Sequence, residues 1–180
     1  YETVADPVPQ AGEVLVELRA AALNRRDLLV RKGIYPFPLP LVPGSDGAGV
    51  RRDTGEEVVL FPAVGWGERE DAPGPEFEFL GGPRDGTYAE LIAVPAEGVF
   101  PRPAGFSWEE AASFPLAAVT AYRALFSRGG LREGETVLAL GAGSGVTSFV
   151  VQLAVQARAR VLVTSSSDAK IERAKELGAE

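Results

Sequence analysis

The sequence contains no cysteine, no histidine and no methionine. Without thiol or imidazole, these residues cannot assemble a tetrahedral zinc site of the structural kind. A disulfide, a thiolate nucleophile, a serine–histidine pair and an imidazole general base are excluded by the same absence. A chain without disulfides fits a reducing compartment, so a cytoplasmic location is expected. Positive charge is in the minority, with 18 Lys and Arg against 25 Asp and Glu and a net charge of −7. Nucleic-acid binding needs clustered positive charge, so no nucleic-acid partner is expected. No apolar run approaches the length of a membrane span, so no membrane partner is expected either. What is present suffices for a folded protein, since 46% of the residues are hydrophobic and 24% charged.

The style of the sequence changes near residue 105, and a β-rich domain over 1–105 followed by an α/β domain over 106–180 is expected. Residues 13–22 alternate apolar and polar with a period of two, which predicts a strand with one buried face. A short helix or turn is expected over 24–33, stopped at Gly33, followed by an extended loop carrying Pro36, Pro38, Pro40 and Pro43. Strands are expected from the glycine-rich segment 44–50, at 57–61 and at 87–94. Between the last two lies a long surface loop, 64–86, dense in glycine, proline and acid. Several short strands bounded by glycine and proline suggest a small barrel-like domain.

From Phe106 the pattern is helical. Ser107 with Glu110 three residues on predicts a capping box. Pro115 restarts the helix, which is expected to run over 117–126. A fully apolar strand at 136–140, a glycine-rich turn, a helix over 147–157, a second buried strand at 160–164 and an amphipathic helix over 168–177 follow. Buried strands alternating with helices imply a parallel sheet. A dinucleotide fold needs about six such strands, and two are supplied, so the sequence is expected to be a piece of a longer protein; a small two-domain protein is the alternative.

Gly141-Ala142-Gly143-Ser144-Gly145-Val146 stands between a strand and a helix, where backbone N–H groups and the positive helix end face an anion such as a pyrophosphate. The strict G-x-G-x-x-G fingerprint fails, because Val146 or Ser148 takes the place of the last glycine. The second strand ends in Ser165-Ser166-Ser167 with Lys170 nearby, where an NAD enzyme places an acid for the ribose hydroxyl. Hydroxyls and a positive charge suit a 2′-phosphate, which favours NADP(H); Asp168 keeps NAD(H) open. Ser167 or Asp168 is expected to cap the helix. Gly143, Ser144, Gly145, Val146, Thr147, Ser165, Ser166 and Lys170 are the cofactor-binding candidates.

The runs AALNRRDLLVRKGIYP, VPGSDGAGV, GTYAEL, WEEAASFPLAAVTAYRAL, GETVLALGAGSGV and SSSDAKIERAKELGA, in this order, resemble the medium-chain dehydrogenase/reductase superfamily over nearly the whole sequence. The resemblance implies a GroES-like β-barrel domain followed by the first β-α-β-α portion of a Rossmann fold, with an active site in the cleft between them. Carried over by position, the family's zinc ligands fall on Asn24, Ser45 and Leu116, and leucine cannot ligate a metal. The four-cysteine lobe would fall in 64–86, which has no cysteine. The zinc-free, quinone-oxidoreductase-like branch is therefore the one resembled. It implies a catalytic and nicotinamide-facing role for Asn24, an active-site role for Tyr35, and a place for Thr120 near the nicotinamide amide. Each also has a plain structural reading: Asn24 as a cap, Tyr35 packed in its loop, Thr120 bonded within its helix. Arg26 and Asp27 are expected as salt-bridge partners, and Asp46 as a residue that orders a loop or lies near the cleft. The implied reaction is hydride transfer between NADP(H) and a quinone, enone or other carbonyl-type small molecule. A zinc-free alcohol or aldehyde dehydrogenase and a non-catalytic nucleotide-binding protein are the alternatives. A homodimer or homotetramer is implied for the full length.

Overall fold

Alternation of small and β-branched residues sets the first sheet. In the computed structural model, which describes residues 2–180, five antiparallel strands lie in the order β6-β1-β2-β3-β7. They are β1 (Glu13–Ala22), β2 (Asp46–Arg51), β3 (Glu57–Leu60), β6 (Leu91–Pro95) and β7 (Val99–Pro101). Val14, Val16, Val58, Leu60, Ile92 and Val94 point to one side and close a core with Leu80. Burying each such side chain contributes about 1.5–3 kcal/mol before entropy. Gly49 lets β1 and β2 approach beside a register shift between Leu18 and Ala20; a Cβ there would lie 2.1 Å from the Glu17 carbonyl oxygen.

The segment after β1 turns into α1 (Arg25–Arg31). The loop 64–86 is anchored by a two-residue ladder between β4 (Ala63–Val64) and β5 (Glu78–Phe79). The strand expected at 87–94 begins only at Leu91. Gly86, Thr87 and Tyr88 donate their N–H groups to the carbonyls of Val42, Gly44 and Pro43, which draws 86–88 out of the sheet. The helix α2 (Trp108–Ser113) carries the expected capping box: Ser107 N–H donates to the Glu110 carboxylate and Glu110 N–H to the Ser107 hydroxyl. Its Ala111 and Ala112 pack on Ala48 of β2, where only small side chains fit.

Two compact units divide the chain, Tyr1–Leu116 and Ala117–Glu180. In the second, α3 (Pro115–Tyr122), which begins at the end of the first unit, gives way to a π-helical stretch, Arg123–Arg128, where an α-helix through 126 was expected. The parallel strands β8 (Thr136–Leu140) and β9 (Arg160–Thr164) pair in register from Thr136↔Arg160 to Leu140↔Thr164. The helices α4 (Gly145–Gln156) and α5 (Asp168–Glu176) follow them. Val151, Ala154, Val161, Ala174 and Ala179 form this unit's core. β8 is not the fully buried strand its composition implies. Ala139 is covered, while Leu138 and Leu140 on the other face are 60% and 71% exposed. Among the described residues no helix is long and apolar enough to cross a membrane.

Arg158 follows the α4 C-cap with φ +59°, the one non-glycine residue with positive φ among those described. The left-handed conformation crowds its Cβ against backbone. Its ion pair with Glu133 is exposed at both ends and contributes little. Arg158→Gly is expected to raise stability by about 0.5 kcal/mol, the relief of strain being partly offset by a freer unfolded chain. A lower midpoint in urea unfolding would contradict this.

Candidate functional site

In the first unit, buried polar side chains gather where α1, the start of β2 and the loop before β6 meet. Asn24 stands at the N-cap position of α1 with extended backbone. Its backbone N–H donates to the Asp27 carboxylate at 2.7 Å, and its side-chain amide donates to the Asp46 carboxylate at 2.8 Å. The other Asp46 oxygen accepts from the Leu116 backbone N–H at 2.8 Å. Thr87 donates its hydroxyl to the Asp46 main-chain carbonyl at 2.8 Å. Asp46 is only 1% exposed. Burial pushes its carboxyl up to about 6, against the two hydrogen bonds that favour the charged form and with help from the nearby charge of Asp27. Tyr88 donates its hydroxyl to Asp27 at 2.7 Å; burial first, and then this bond, push its phenol above the usual range.

Arg26 and Asp27 are not salt-bridge partners of each other, contrary to expectation. Arg26 turns away and donates to the Ser45 hydroxyl and to the carbonyls of Leu80, Gly81 and Gly82. Its guanidinium lies over the rings of Phe79 and Phe37, at 4.8 and 5.7 Å. Burial lowers its affinity for the proton, while Asp27 and Tyr35 favour the charge. Ser45 in turn donates to the Leu80 carbonyl at 2.8 Å. Asp46 ties down the segment before α1 through Asn24 and the loop before β6 through Thr87, in line with the loop-ordering reading. Tyr35 lies in the proline-rich loop, 44% exposed. Sequence reasoning passed over Thr87, Tyr88, Ser45 and Asp46 as a group. The available signal was the pair Ser45-Asp46 at the head of a strand otherwise made of small residues.

The three positions that carry zinc ligands in the resembled zinc enzymes, Asn24, Ser45 and Leu116, do come together in the fold. Their groups are an amide that donates to Asp46, a hydroxyl that donates to a carbonyl, and a backbone N–H. This is a set of donors around a carboxyl, not a set of lone pairs around a cation, and it does not fit zinc. Among the described residues no group of three or more His, Cys, Asp or Glu side chains could hold a metal ion.

In the second unit the glycine-rich turn leads into α4. Gly141 and Ala142 donate to the Thr164 carbonyl, which ties the turn to the end of β9. Ser144 is the N-cap: its hydroxyl accepts from Thr147 N–H at 3.2 Å and donates to the Thr147 hydroxyl at 2.8 Å. Thr147 is buried and passes its own hydroxyl proton to the Leu140 carbonyl at 3.3 Å, so its polar groups are spent inside the turn. The helix begins at Gly145, two residues earlier than expected. Gly145 and Val146 thus lie in the first turn, where N–H groups have no partner within the helix, at the positive end of the α4 dipole. Gly143 has φ +87°, and a Cβ on it would lie 2.9 Å from Cδ of Lys170. The Lys170 stem therefore lies across the turn, although the two residues are far apart in sequence. Ser165 accepts from Ser167 N–H at 3.2 Å, and Ser166 is exposed beside it. Ser167 occupies the N-cap position of α5 but makes no side-chain cap bond. Thr120 is exposed on α3. This arrangement of N–H groups, glycine and lysine fits the pyrophosphate of a dinucleotide.

Residues 10–104 match the family model of the alcohol dehydrogenase GroES-like domain. A zinc-type alcohol dehydrogenase-like protein of Schizosaccharomyces pombe is 45% identical over 96% of this chain and 54% of its own length. The 2-methylene-furan-3-one reductase of Solanum lycopersicum is 40% identical over 98% of this chain and 46% of its own. Among solved structures, an NAD-dependent alcohol dehydrogenase superposes with a TM-score of 0.92 at 39% identity, covering 99% of this chain and 57% of that one. The quinone oxidoreductase of Thermus thermophilus does so with 0.78 at 33%, covering 99% and 53%. The chain spans about half the length of the curated relatives it matches. It belongs to the medium-chain dehydrogenase/reductase superfamily, with an alcohol dehydrogenase GroES-like domain over residues 10–104.

Proposed function

We propose that the chain serves an oxidoreductase that moves a hydride between NADP(H) and a quinone, enone or other carbonyl-type acceptor, without zinc. The observation that carries the reading is the α4 turn, where the first-turn N–H groups have no partner within the helix and a positive-φ glycine, Gly143, lies under the stem of Lys170. When bound, the nicotinamide supplies the hydride chemistry. The chain's residues do the rest. The N–H groups of Gly143, Ser144, Gly145 and Val146 hold the pyrophosphate, and Thr147 keeps the turn in shape from inside. Ser165, Ser166 and Lys170 meet the 2′-phosphate. Thr120 and Asn24 take the nicotinamide end, and Tyr35 delivers a proton to the reduced acceptor. Neither thiol nor imidazole enters, in keeping with the composition.

A quinone oxidoreductase solved with NADPH and a furanone reductase among the similar proteins support the acceptor class and the cofactor. A solved NAD-dependent alcohol dehydrogenase favours the second reading, NAD(H), for which Asp168 is the acid at hand. Steady-state oxidation of NADPH by quinones and enones, with full-length protein, tests the activity; no turnover with any acceptor would overturn it. Stoichiometric bound zinc would overturn the metal-free mechanism. Lys170→Ala is expected to weaken NADPH binding by about tenfold or more and NADH binding by less than about twofold, since only the former offers a phosphate for a charged hydrogen bond. Titration calorimetry with both nucleotides checks it, and equal losses would place Lys170 elsewhere.

A further inference from the structure

We propose that the first unit carries a second binding site, an aromatic-walled cavity with one carboxylate among its walls, which takes the alkylated ammonium head of a small organic cation. Phe61 just after β3, Trp66 and Phe77 of the loop 64–86, Glu97 and Gly98 of a single 3-10 turn (Ala96–Gly98) and Phe100 of β7 line a space of about 220 Å³. None of these residues has a part in the hydride-transfer reading above.

The rings stand at steep angles to one another. Phe61 and Phe100 have centroids 6.3 Å apart and planes inclined at 60°, and Trp66 and Phe77 lie at 5.0 Å and 83°. Such walls enclose a rounded guest from several sides, whereas a flat ring is better held between parallel planes. The polar end of Trp66 is used inside its own loop, where the indole N–H donates to the Arg69 carbonyl at 2.7 Å. Main-chain bonds hold the frame: Phe61 N–H donates to the Gly98 carbonyl at 2.8 Å, Gly74 N–H donates to the Trp66 carbonyl at 2.7 Å, and β4 pairs with β5. Gly98 is buried, yet a Cβ on it would meet no atom within 4 Å, so the missing side chain leaves room in the wall. An apolar cavity of about 150 Å³ holds benzene, and about 220 Å³ therefore accepts a nitrogen with its alkyl groups.

The sign of the guest follows from the walls. Glu97 is the one ionisable side chain lining the cavity, and among the described residues it takes no hydrogen bond or ion pair. Other carboxylates of this unit are matched by arginine, Glu13 by Arg84 and Glu57 by Arg102. Arg69, the arginine of the same loop, is held by two bonds to Asp71. A free carboxylate and the negative faces of four aromatic rings attract a cation and repel an anion. An inorganic cation or a bare ammonium would lose its water against these apolar walls, with a single acid to replace it. An alkylated ammonium spreads its charge over its alkyl groups and meets the rings without that cost.

Choline and its neutral carbon isostere, 3,3-dimethylbutanol, have the same shape, and each gives one sharp methyl proton signal whose broadening by full-length protein reports binding. At matched ionic strength choline is expected to bind in the millimolar range and the isostere about tenfold more weakly, having neither the carboxylate nor the ring faces to meet. Glu97→Gln, at an exposed position, is expected to weaken choline about threefold and to leave the isostere unchanged. Phe100→Leu keeps the apolar bulk and removes a ring face; it is expected to weaken choline by a similar factor, again without effect on the isostere. Gly98→Leu puts a side chain into the space and is expected to abolish binding of both. Equal binding of choline and the isostere, or no binding of either, overturns the proposal in the wild type, where no variant has to fold. Choline binding that survives Gly98→Leu places the guest elsewhere and overturns it too. Retention of the protein on phosphatidylcholine vesicles, lost with Gly98→Leu, would overturn the free solute and assign the head to a lipid.

Discussion

Arg26→Ala is expected to cost about 3 kcal/mol of stability, the largest loss of any single polar side chain in the first unit. The guanidinium reaches the carbonyls of Gly81 and Gly82, both buried, and among the described residues neither takes another hydrogen bond. Each carbonyl left bare in a closed site costs about 1–3 kcal/mol. The Leu80 carbonyl suffers less, because Ser45 also donates to it. The rings of Phe79 and Phe37 lose a cation and the apolar stem that carried it. Half-burial of the guanidinium lets water recover part of this, which keeps the sum near the lower end. Lysine at this position brings one ammonium where the sequence needs a planar fork, so Arg26→Lys is expected to restore less than half. Trp66 and Trp108, the two tryptophans, are both in this unit and report its urea unfolding by fluorescence. A loss under about 1 kcal/mol for the alanine variant would mean that the carbonyls of 80–82 find water as readily as they find Arg26.

Arg26 also marks the boundary of what the sequence reveals. Elements whose signals are local were legible: β1 and β9 lie at the residues their apolar pattern predicts, and the Ser107–Glu110 capping box closes as the spacing requires. The strain at Arg158 was expected only through the resemblance, whose members usually carry glycine at that position, and its φ of +59° bears it out. The α4 turn was legible locally, being six consecutive residues. Its link to Lys170 showed only as a charge near the right strand end, and the stem lying over Gly143 appears with the fold. Arg26 and Asp27 were misjudged because adjacent opposite charges invite pairing. The partners each one takes, carbonyls at 80–82 and the hydroxyl of Tyr88, lie more than fifty residues away. The late start of β6 has the same origin, since the carbonyls of 42–44 compete for the N–H groups of 86–88. Exposure of Leu138 and Leu140 depends on which face of β8 the helices cover, and an all-apolar strand gives no sign of that.

Stability should fall as pH rises through the titration of Asp46, by about 2.5 kcal/mol between pH 4 and pH 7.5. The carboxyl is held at about 6 in the fold against an ordinary value of 3.8. Each pH unit of that difference is worth about 1.4 kcal/mol. The sign follows from which state binds the proton more tightly. A raised carboxyl pKa means that the folded chain favours the protonated form. The stabilising contribution is therefore complete below the unfolded value, near 4, and is lost as pH rises through 6. This runs opposite to the usual carboxylate held by a cation, whose contribution disappears in acid. The surface ion pairs of the chain, such as Arg51 with Asp53, act in that usual direction, so the net pH profile of the wild type mixes both. Asp46→Asn isolates the buried group. Its oxygen still accepts from Leu116 N–H and its NH2 can meet the Asn24 carbonyl, so the loss of the carboxyl itself carries a pH-independent cost. The difference in unfolding free energy between variant and wild type is expected to move in favour of the variant by about 2.5 kcal/mol from pH 4 to pH 7.5. Urea unfolding at several pH values across that range measures it. A difference that stays constant throughout would show that Asp46 ionises in the fold as easily as in the unfolded chain, and that its closed surroundings exert no hold on its proton.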